Sequence, residues 1–443
     1  MKHIWTVLLL LPLILPAQDL ATKADALLSA YHQQDQFSGT VLIAKKGKIL
    51  FSKAYGEADR EKKILNTPAT EFRIGSVTKQ FTAALILKLQ EKKVLSVKDP
   101  LSKYIADYPK GDSVLLENLL NHTSGIKSIT SMKQYYAEWI GQPATLEQTV
   151  AKFKNEPYSF SPGKKFEYSN SNYILLSYIA QLATGKKFDQ LMEQYIFKPL
   201  KLTHTGIDNN LRASSLKALG YQASPEHDYA IARYNDMSVL TGAGAMYSTA
   251  KDLYLWDRAL YKNQLLSAAS LQQMFSPNAF GYGFGWHIDT VNGRVEVSHS
   301  GSIDGYKSNI IRYPAEDVCI IFLSNYFESK GAQISKALTA IAFNEAFEMP
   351  KQRKFVQLAA KQLQLWQGVY QMEKGPQVTV FMEDGVLKGK LEKQQPFKLL
   401  AESEKQFYIK PIDTEVIFNT DADGNPLEMI FQQGKKSMRF KKV

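Results

Sequence analysis

The chain has 443 residues, 44% of them hydrophobic and 12% aromatic, which is too long for one small core and too apolar for a disordered chain. Its formal net charge is +11, yet the lysines are scattered without a dense basic block, so nucleic acid is not an expected partner. The single cysteine, Cys319, excludes an internal disulfide.

In chain order, "MKHIWTVLLLLPLILPAQDL" joins Lys2 to an apolar run from Ile4 to Leu15 and a small residue at Ala17. That is the pattern of a signal peptide over residues 1–17, cut between Ala17 and Gln18. A retained anchor is the rival reading, but the run is short for a bilayer span. No cysteine follows it to carry a lipid, and no later segment reads as a transmembrane helix. A secreted or periplasmic location without stable membrane insertion is therefore expected. Cys319 lies in the apolar run "DVCIIFLSN" and reads as a buried, inert thiol.

"DLATKADALLSAYHQQ" has helical spacing, and "SGTVLIAKKGKILFSKAYGEAD" alternates on both sides of Lys46-Gly47, which predicts a β-hairpin. A helix is predicted from Ser76 to about Lys93. Helical patterns and polar loops then fill residues 99–263. Strands return in "GYGFGWHIDTVNGRVEVSHSGSIDGYKSNIIRYPAEDVCIIFLSNY", and "GAQISKALTAIAFNEAF" predicts a closing helix. Strands at both ends with helices between them predict an α+β unit over residues 18–350: one antiparallel sheet with flanking helices and an inserted all-helical region. Past Pro350 the pattern changes to about eight short strand-like segments with turns at Asp384-Gly385 and Asp423-Gly424. Residues 351–443 are thus expected to form a small antiparallel β-barrel.

Ser76 and Lys79 stand three residues apart where "FRIGSVTKQFTAALILKLQ" turns from irregular to helical. At that offset two side chains share one helix face. A serine needs a base to become a nucleophile, and a lysine serves as one only when burial or nearby charge lowers its pKa. The plain alternative is a helix cap beside a solvated lysine. Four other Ser-x-x-Lys quartets occur, at Ser124, Ser161, Ser214 and Ser248. Only Ser76 directly precedes a long apolar helix, where a lysine on the first turn is costly unless it is paired or neutral.

Two further stretches supply partners. Tyr168 and Asn170 in "FEYSNSNYILL" offer a phenol for proton transfer and an amide for holding a carbonyl. His299, Ser300 and Gly301 in "VEVSHSGSIDGY" lie on a predicted strand, whose Ser302 N–H would be a second oxyanion donor and whose Gly301 would admit substrate. The rival triplet at His204 reads as a turn. His122 and His287 do not fall at metal-ligand spacings, so neither a metal nor another cofactor is expected.

The ordered set Ser76-x-x-Lys79, Tyr168-x-Asn170, His299-x-Gly301 resembles the serine β-lactamase and penicillin-binding protein superfamily. It is most similar to the class C β-lactamase-related hydrolases, which include D-aminopeptidases, DD-carboxypeptidases and esterases. "LLNHTSGI", "FKPLKLTHTG" and "TGAGAMYSTAKDL" share that resemblance, and the tail resembles a lipocalin-like barrel. The resemblance implies that Ser76 forms an acyl-enzyme on an amide or ester, Lys79 and Tyr168 move protons, and the Ser76 and Ser302 N–H groups hold the oxyanion. Asn170 and His299, with Ser300 and Gly301, would bind substrate. Either Lys79 or Tyr168 can be the base on this reading. Class C β-lactamases carry lysine where this chain has His299, so weak carboxylate anchoring and poor β-lactam turnover are expected. A D-stereospecific peptidase or an esterase acting on small molecules or peptides is the leading expectation. A dedicated β-lactamase and a non-catalytic envelope-binding protein are the alternatives. An oligomer is compatible with the sequence, but nothing in it requires one.

Overall fold

In a computed structural model of the chain, residues 15–209, 214–224, 229–261, 263–434 and 436–443 are described. Most of the expected signal peptide lies outside them; a helix runs over Leu15–Gln33. The chain divides into two compact units. The first takes residues up to Leu219 together with Arg233–Met349, and the second takes Gly220–Ala232 and Pro350–Val443.

The first unit is built on a six-stranded antiparallel sheet. Its order is His287–Val291, Arg294–Ile303, Tyr306–Tyr313, Val318–Ser324, Gly39–Lys45, Lys48–Tyr55. The N-terminal hairpin thus joins the edge of a C-terminal meander, with Val41 opposite Phe322 and Ile43 opposite Ile320. Val318–Ser324 is buried at every position because helices cover both faces, so its sequence is a continuous apolar run rather than an alternating one. Leu42, Cys319, Ile321 and Leu323 face the larger core, which includes the helix Thr78–Glu91. Val41, Ile43, Ile320 and Phe322 face the smaller one, with residues of Leu15–Gln33 and Gly331–Ala342.

Thr78–Glu91 is buried on every side from Thr78 to Leu87, as expected of a helix enclosed within a core. Among its neighbours is Asn170–Thr184. The predicted helix start differs in detail: Ser76 sits in a 3₁₀ turn over Gly75–Val77 and the α-helix begins at Thr78. Gly75 accounts for this, because its φ of +49° favours glycine and cannot continue a regular helix. The inserted region carries the predicted helices plus a few two- or three-residue strands. One of these, Gly206–Ile207, contains part of the triplet expected to be only a turn.

The second unit holds a nine-stranded antiparallel sheet whose end strands, Phe397–Lys398 and Leu400–Ala401, are consecutive in the chain. The two ends of the sheet therefore meet at Leu399, giving a nearly closed barrel. Trp366, Tyr370, Phe407, Phe418 and Phe440 fill it, with Trp366 stacked on Phe418 at 4.7 Å between ring centroids.

Candidate active site

The site begins with the turn that carries Ser76. Ile74 N–H donates to Met246 C=O at 2.9 Å, and Met246 N–H donates to the Thr78 hydroxyl at 3.1 Å. On the other side the turn meets the strand Arg294–Ile303. A Cβ on Gly75 would stand 2.9 Å from Ser302 N, and one on Gly301 would collide with the Ile74 carbonyl oxygen. That carbonyl accepts from the Ser308 hydroxyl at 2.7 Å. Both glycines are therefore needed where this strand and the nucleophile turn touch backbone to backbone. Ser302 and Ser300 are exposed on the same strand.

Lys79 is fully buried. Its Nζ lies 2.8 Å from Asn170 Oδ1, 2.8 Å from the Ala243 carbonyl and 3.1 Å from Ser76 Oγ. No carboxylate pairs with it among the described residues, and burial holds its pKa well below the usual lysine range. The two carbonyl oxygens can only accept, so each takes one amine hydrogen. The remaining position faces Ser76. In the neutral amine it is a lone pair, able to receive the serine proton.

Asn170 opens the helix Asn170–Thr184. Its Nδ2 donates to Thr130 Oγ1 at 2.9 Å, which fixes the amide with its oxygen toward Lys79. Tyr168 precedes that helix, with the Lys79 amine 4.8 Å from its ring centroid. Its hydroxyl is buried and makes no well-formed hydrogen bond. Burial raises its pKa above the phenol range, and the nearby Ser76 hydroxyl offsets part of that shift.

His299 lies behind this group and is 2% exposed. Its Nδ1 is 2.7 Å from the Ser300 carbonyl, which can only accept, so Nδ1 carries the hydrogen. Nε2 then accepts from the Tyr282 hydroxyl at 2.9 Å. Burial is the largest cause that pushes its pKa well down and keeps the ring neutral. His122 is a further buried ring, 4.3 Å from that of Tyr168. Its Nδ1 accepts from Ser169 N–H at 3.2 Å, and burial lowers its pKa too.

Ser76 and Asn170 open onto a cavity of about 170 Å³, also lined by Thr130, Tyr135, Asn235, Ser302 and Asp304. The structure thus gathers Ser76, Lys79, Tyr168 and Asn170 around one amine and sets Gly301 and Ser302 against the nucleophile turn. His299 stands outside the cavity lining. The sequence offered no role for Thr130, the Ala243 carbonyl, His122 or Tyr282. His122 left one trace, its place in the quoted "LLNHTSGI". Among the described residues no cluster of histidine, cysteine or carboxylate side chains is arranged to hold a metal.

Several known proteins are similar to this chain in sequence or fold. A penicillin-binding protein of Bacillus subtilis (strain 168) is 29% identical over 439 residues, covering 91% of this chain and 95% of its own. The octameric penicillin-binding protein homologue from Pyrococcus abyssi shares the fold, with a TM-score of 0.67, 21% identity and coverage of 95% and 100%. The D-amino acid amidase from Ochrobactrum anthropi SV3, solved with L-phenylalanine amide, superposes with a TM-score of 0.64 and 22% identity over 74% of this chain and 98% of its own. The profile of the family described as Beta-lactamase matches residues 24–343. With that match over most of its length, the chain belongs to the beta-lactamase family and is a serine hydrolase.

Proposed function

We propose that the protein hydrolyses amide or ester bonds through an acyl-enzyme on Ser76, as a D-stereospecific peptidase or an esterase. The observation that carries this reading is the buried Lys79 amine, held by two carbonyl oxygens with its last position on Ser76 Oγ. Lys79 is the base: its pKa is lowered, whereas that of Tyr168 is raised. The Ser76 proton passes to Nζ as Oγ attacks the carbonyl carbon. The ammonium so formed faces the Tyr168 ring, which favours a cation. The Ser76 and Ser302 N–H groups receive the oxyanion. In this reading the leaving group takes a proton from Tyr168, which recovers one from the Lys79 ammonium; water then adds to the acyl carbon, giving its proton to Lys79, and Ser76 leaves with that proton returned to its oxygen.

Substrate class follows from what the cavity lacks. Its lining holds no lysine, arginine or histidine, and His299 is neutral with both ring nitrogens engaged. A substrate carboxylate finds no cation among those lining residues, which favours the peptidase or esterase over a dedicated β-lactamase. The D-amino acid amidase in the comparison supports an aminoacyl substrate. We also place the chain in the class C-related branch, with residues 1–17 as a signal peptide for export, 18–350 as the hydrolase and 351–443 as a lipocalin-like domain.

The test is labelling by a fluorophosphonate, with the adduct mapped by mass spectrometry, beside turnover of D- and L-aminoacyl amides, aryl esters and nitrocefin. A Ser76 adduct that Ser76→Ala abolishes, with amides or esters turned over faster than nitrocefin, is the expected result. Labelling that persists in Ser76→Ala would overturn the assignment, and nitrocefin as the fastest substrate would make it a β-lactamase.

A further inference from the structure

The stretch "LLNHTSGI" supplies no group to the proposed chemistry, yet its histidine is held in an unusual way. His122 is fully buried and has a φ of +59°, a left-handed conformation that residues other than glycine adopt at a cost. Its contacts converge on Tyr168. The His122 carbonyl accepts from Glu167 N–H at 3.1 Å, and its Nδ1 accepts from Ser169 N–H at 3.2 Å. Its ring lies against that of Tyr168, with 4.3 Å between centroids. One residue thus grips the backbone on each side of Tyr168 and packs on the side chain between. The tautomer is built for this. Ser124 Oγ donates to Asn172 Oδ1 at 2.7 Å, which turns Asn172 Nδ2 toward His122 Nδ1 at 3.3 Å. Two N–H groups therefore face Nδ1, and the neutral ring carries its hydrogen on Nε2. That Nε2 is buried without a hydrogen-bond partner, among the rings of Phe166, Tyr173 and Tyr282. An apolar side chain would fill such a box without stranding a donor, so the acceptor on the opposite edge is what calls for an imidazole.

We propose that His122 is a positioning residue for Tyr168, clamping the amides on both sides of it so that the phenol hydroxyl stays aimed at the leaving group. This rests on Tyr168 being the leaving-group donor, as proposed above. The clamp is local. Asn170 is held separately, by Ser128 Oγ at its backbone N–H and by Thr130 Oγ1 at its amide, at 3.1 and 2.9 Å. Loss of the His122 acceptor should therefore loosen Tyr168 while Lys79 keeps its Asn170 oxygen and Ser76 its base. A leaving group that is stable as an anion departs with little help, whereas a basic one needs the proton. Removing the clamp should thus cost most where the leaving group is most basic.

The experiment measures kcat/KM of the full-length protein for 4-nitrophenyl, phenyl and trifluoroethyl acetate, which share an acyl group and run from a good leaving group to a poor one. In His122→Ala the ratio of the trifluoroethyl to the 4-nitrophenyl value should fall about tenfold or more below that of the wild type. Loss of folded protein lowers both values alike and leaves the ratio unmoved. In His122→Asn the side-chain oxygen stands two bonds from Cβ, as Nδ1 does, and asparagine accepts a positive φ, so the ratio should return to within about threefold of the wild type. Tyr168→Phe should lower the ratio at least as far as His122→Ala, and combining the two should lower it no further. A ratio unmoved in His122→Ala beside a fall in Tyr168→Phe, or a fall that His122→Asn does not repair, overturns the clamp and leaves the role of Tyr168 standing. A ratio unmoved in Tyr168→Phe overturns both together.

Discussion

Among the described residues of the first unit, Lys79 and Arg312 are both buried, and they are treated in opposite ways. Arg312, 2% exposed, meets the fully buried Asp257 with Nε 2.5 Å from Oδ1. Arg258 reaches the other oxygen of the same carboxylate at 2.6 Å. The Arg312 guanidinium also lies 4.7 Å from the Tyr261 ring centroid. Lys79 is as deeply buried but is given only neutral acceptors. A guanidinium cannot lose its proton in a protein, so burying one requires a counter-charge. An amine has the alternative of becoming neutral. The missing carboxylate at Lys79 is what turns a buried cation into a base, and the present carboxylate at Arg312 is what keeps the other a structural group.

The largest effect expected from this contrast is on chemistry. Lys79→Arg keeps a positive charge but removes a lone pair, and it should slow fluorophosphonate labelling of Ser76 about a thousandfold. A variant that retained more than a tenth of the wild-type rate would show that a charge, and not a base, is what Ser76 needs. Next comes stability. Arg312→Met leaves Asp257 with Arg258 alone and should cost about 3 kcal/mol in urea unfolding. The labelling rate of the remaining folded protein should stay close to wild type, because Arg312 touches none of the groups around Ser76.

A third effect separates the two cations by pH. Only neutral Lys79 can accept the serine proton, so acylation should climb about tenfold per pH unit on the acid side of its pKa. Because that pKa is lowered, the midpoint should lie well under the reference value of about 10.4. Stopped-flow acylation across pH 5–10 reads this directly. No limb of this kind is expected from Arg312, and a midpoint near 10 would mean that Lys79 is an ordinary lysine.

The same contrast explains what the sequence disclosed. Ser76 and Lys79 were legible because helix spacing is local and because a lysine on the first turn of the apolar helix that continues as "QFTAALILKLQ" is costly. Arg312 was not, since a single arginine in "NIIRYPAED" looks like any strand residue facing water. Asp257, its partner, lies 55 residues away in another element. Distance in the chain hid the neighbours of Lys79 as well. Asn170 was found through a motif, but the Ala243 carbonyl is a backbone atom 164 residues away that no side-chain pattern reports. The hairpin was readable from its sequence, although Lys48–Tyr55 buries only every fourth residue, Phe51 and Tyr55. That strands from both ends of the unit share one sheet followed from their location, whereas the order in which they pair is seen only in the fold. Gly301 was noticed as an opening for substrate, whereas the atom that fills its missing side chain is the Ile74 carbonyl, a contact only the assembled backbone shows.

The smallest effect is also the most discriminating. Lys79→Met removes an amine whose burial costs stability, but it strands the Asn170 and Ala243 oxygens that the amine had satisfied. Unpaired buried acceptors cost about 1–3 kcal/mol, and relief of the buried charge returns a similar amount, so urea unfolding near neutral pH should shift by no more than about 1 kcal/mol. The balance depends on pH in a definite direction. A lysine whose folded-state pKa is lowered binds its proton more tightly in the unfolded chain, so the wild type carries the full burden at pH values beneath the lowered pKa. That burden lifts as pH climbs from the folded-state pKa toward about 10.4, and the wild type should gain on Lys79→Met across that interval. Arg312→Met should show no such drift, because the guanidinium stays charged in both states. A loss of 3 kcal/mol at Lys79 with no pH trend would place it beside Arg312 as a structural cation and leave Ser76 without a base.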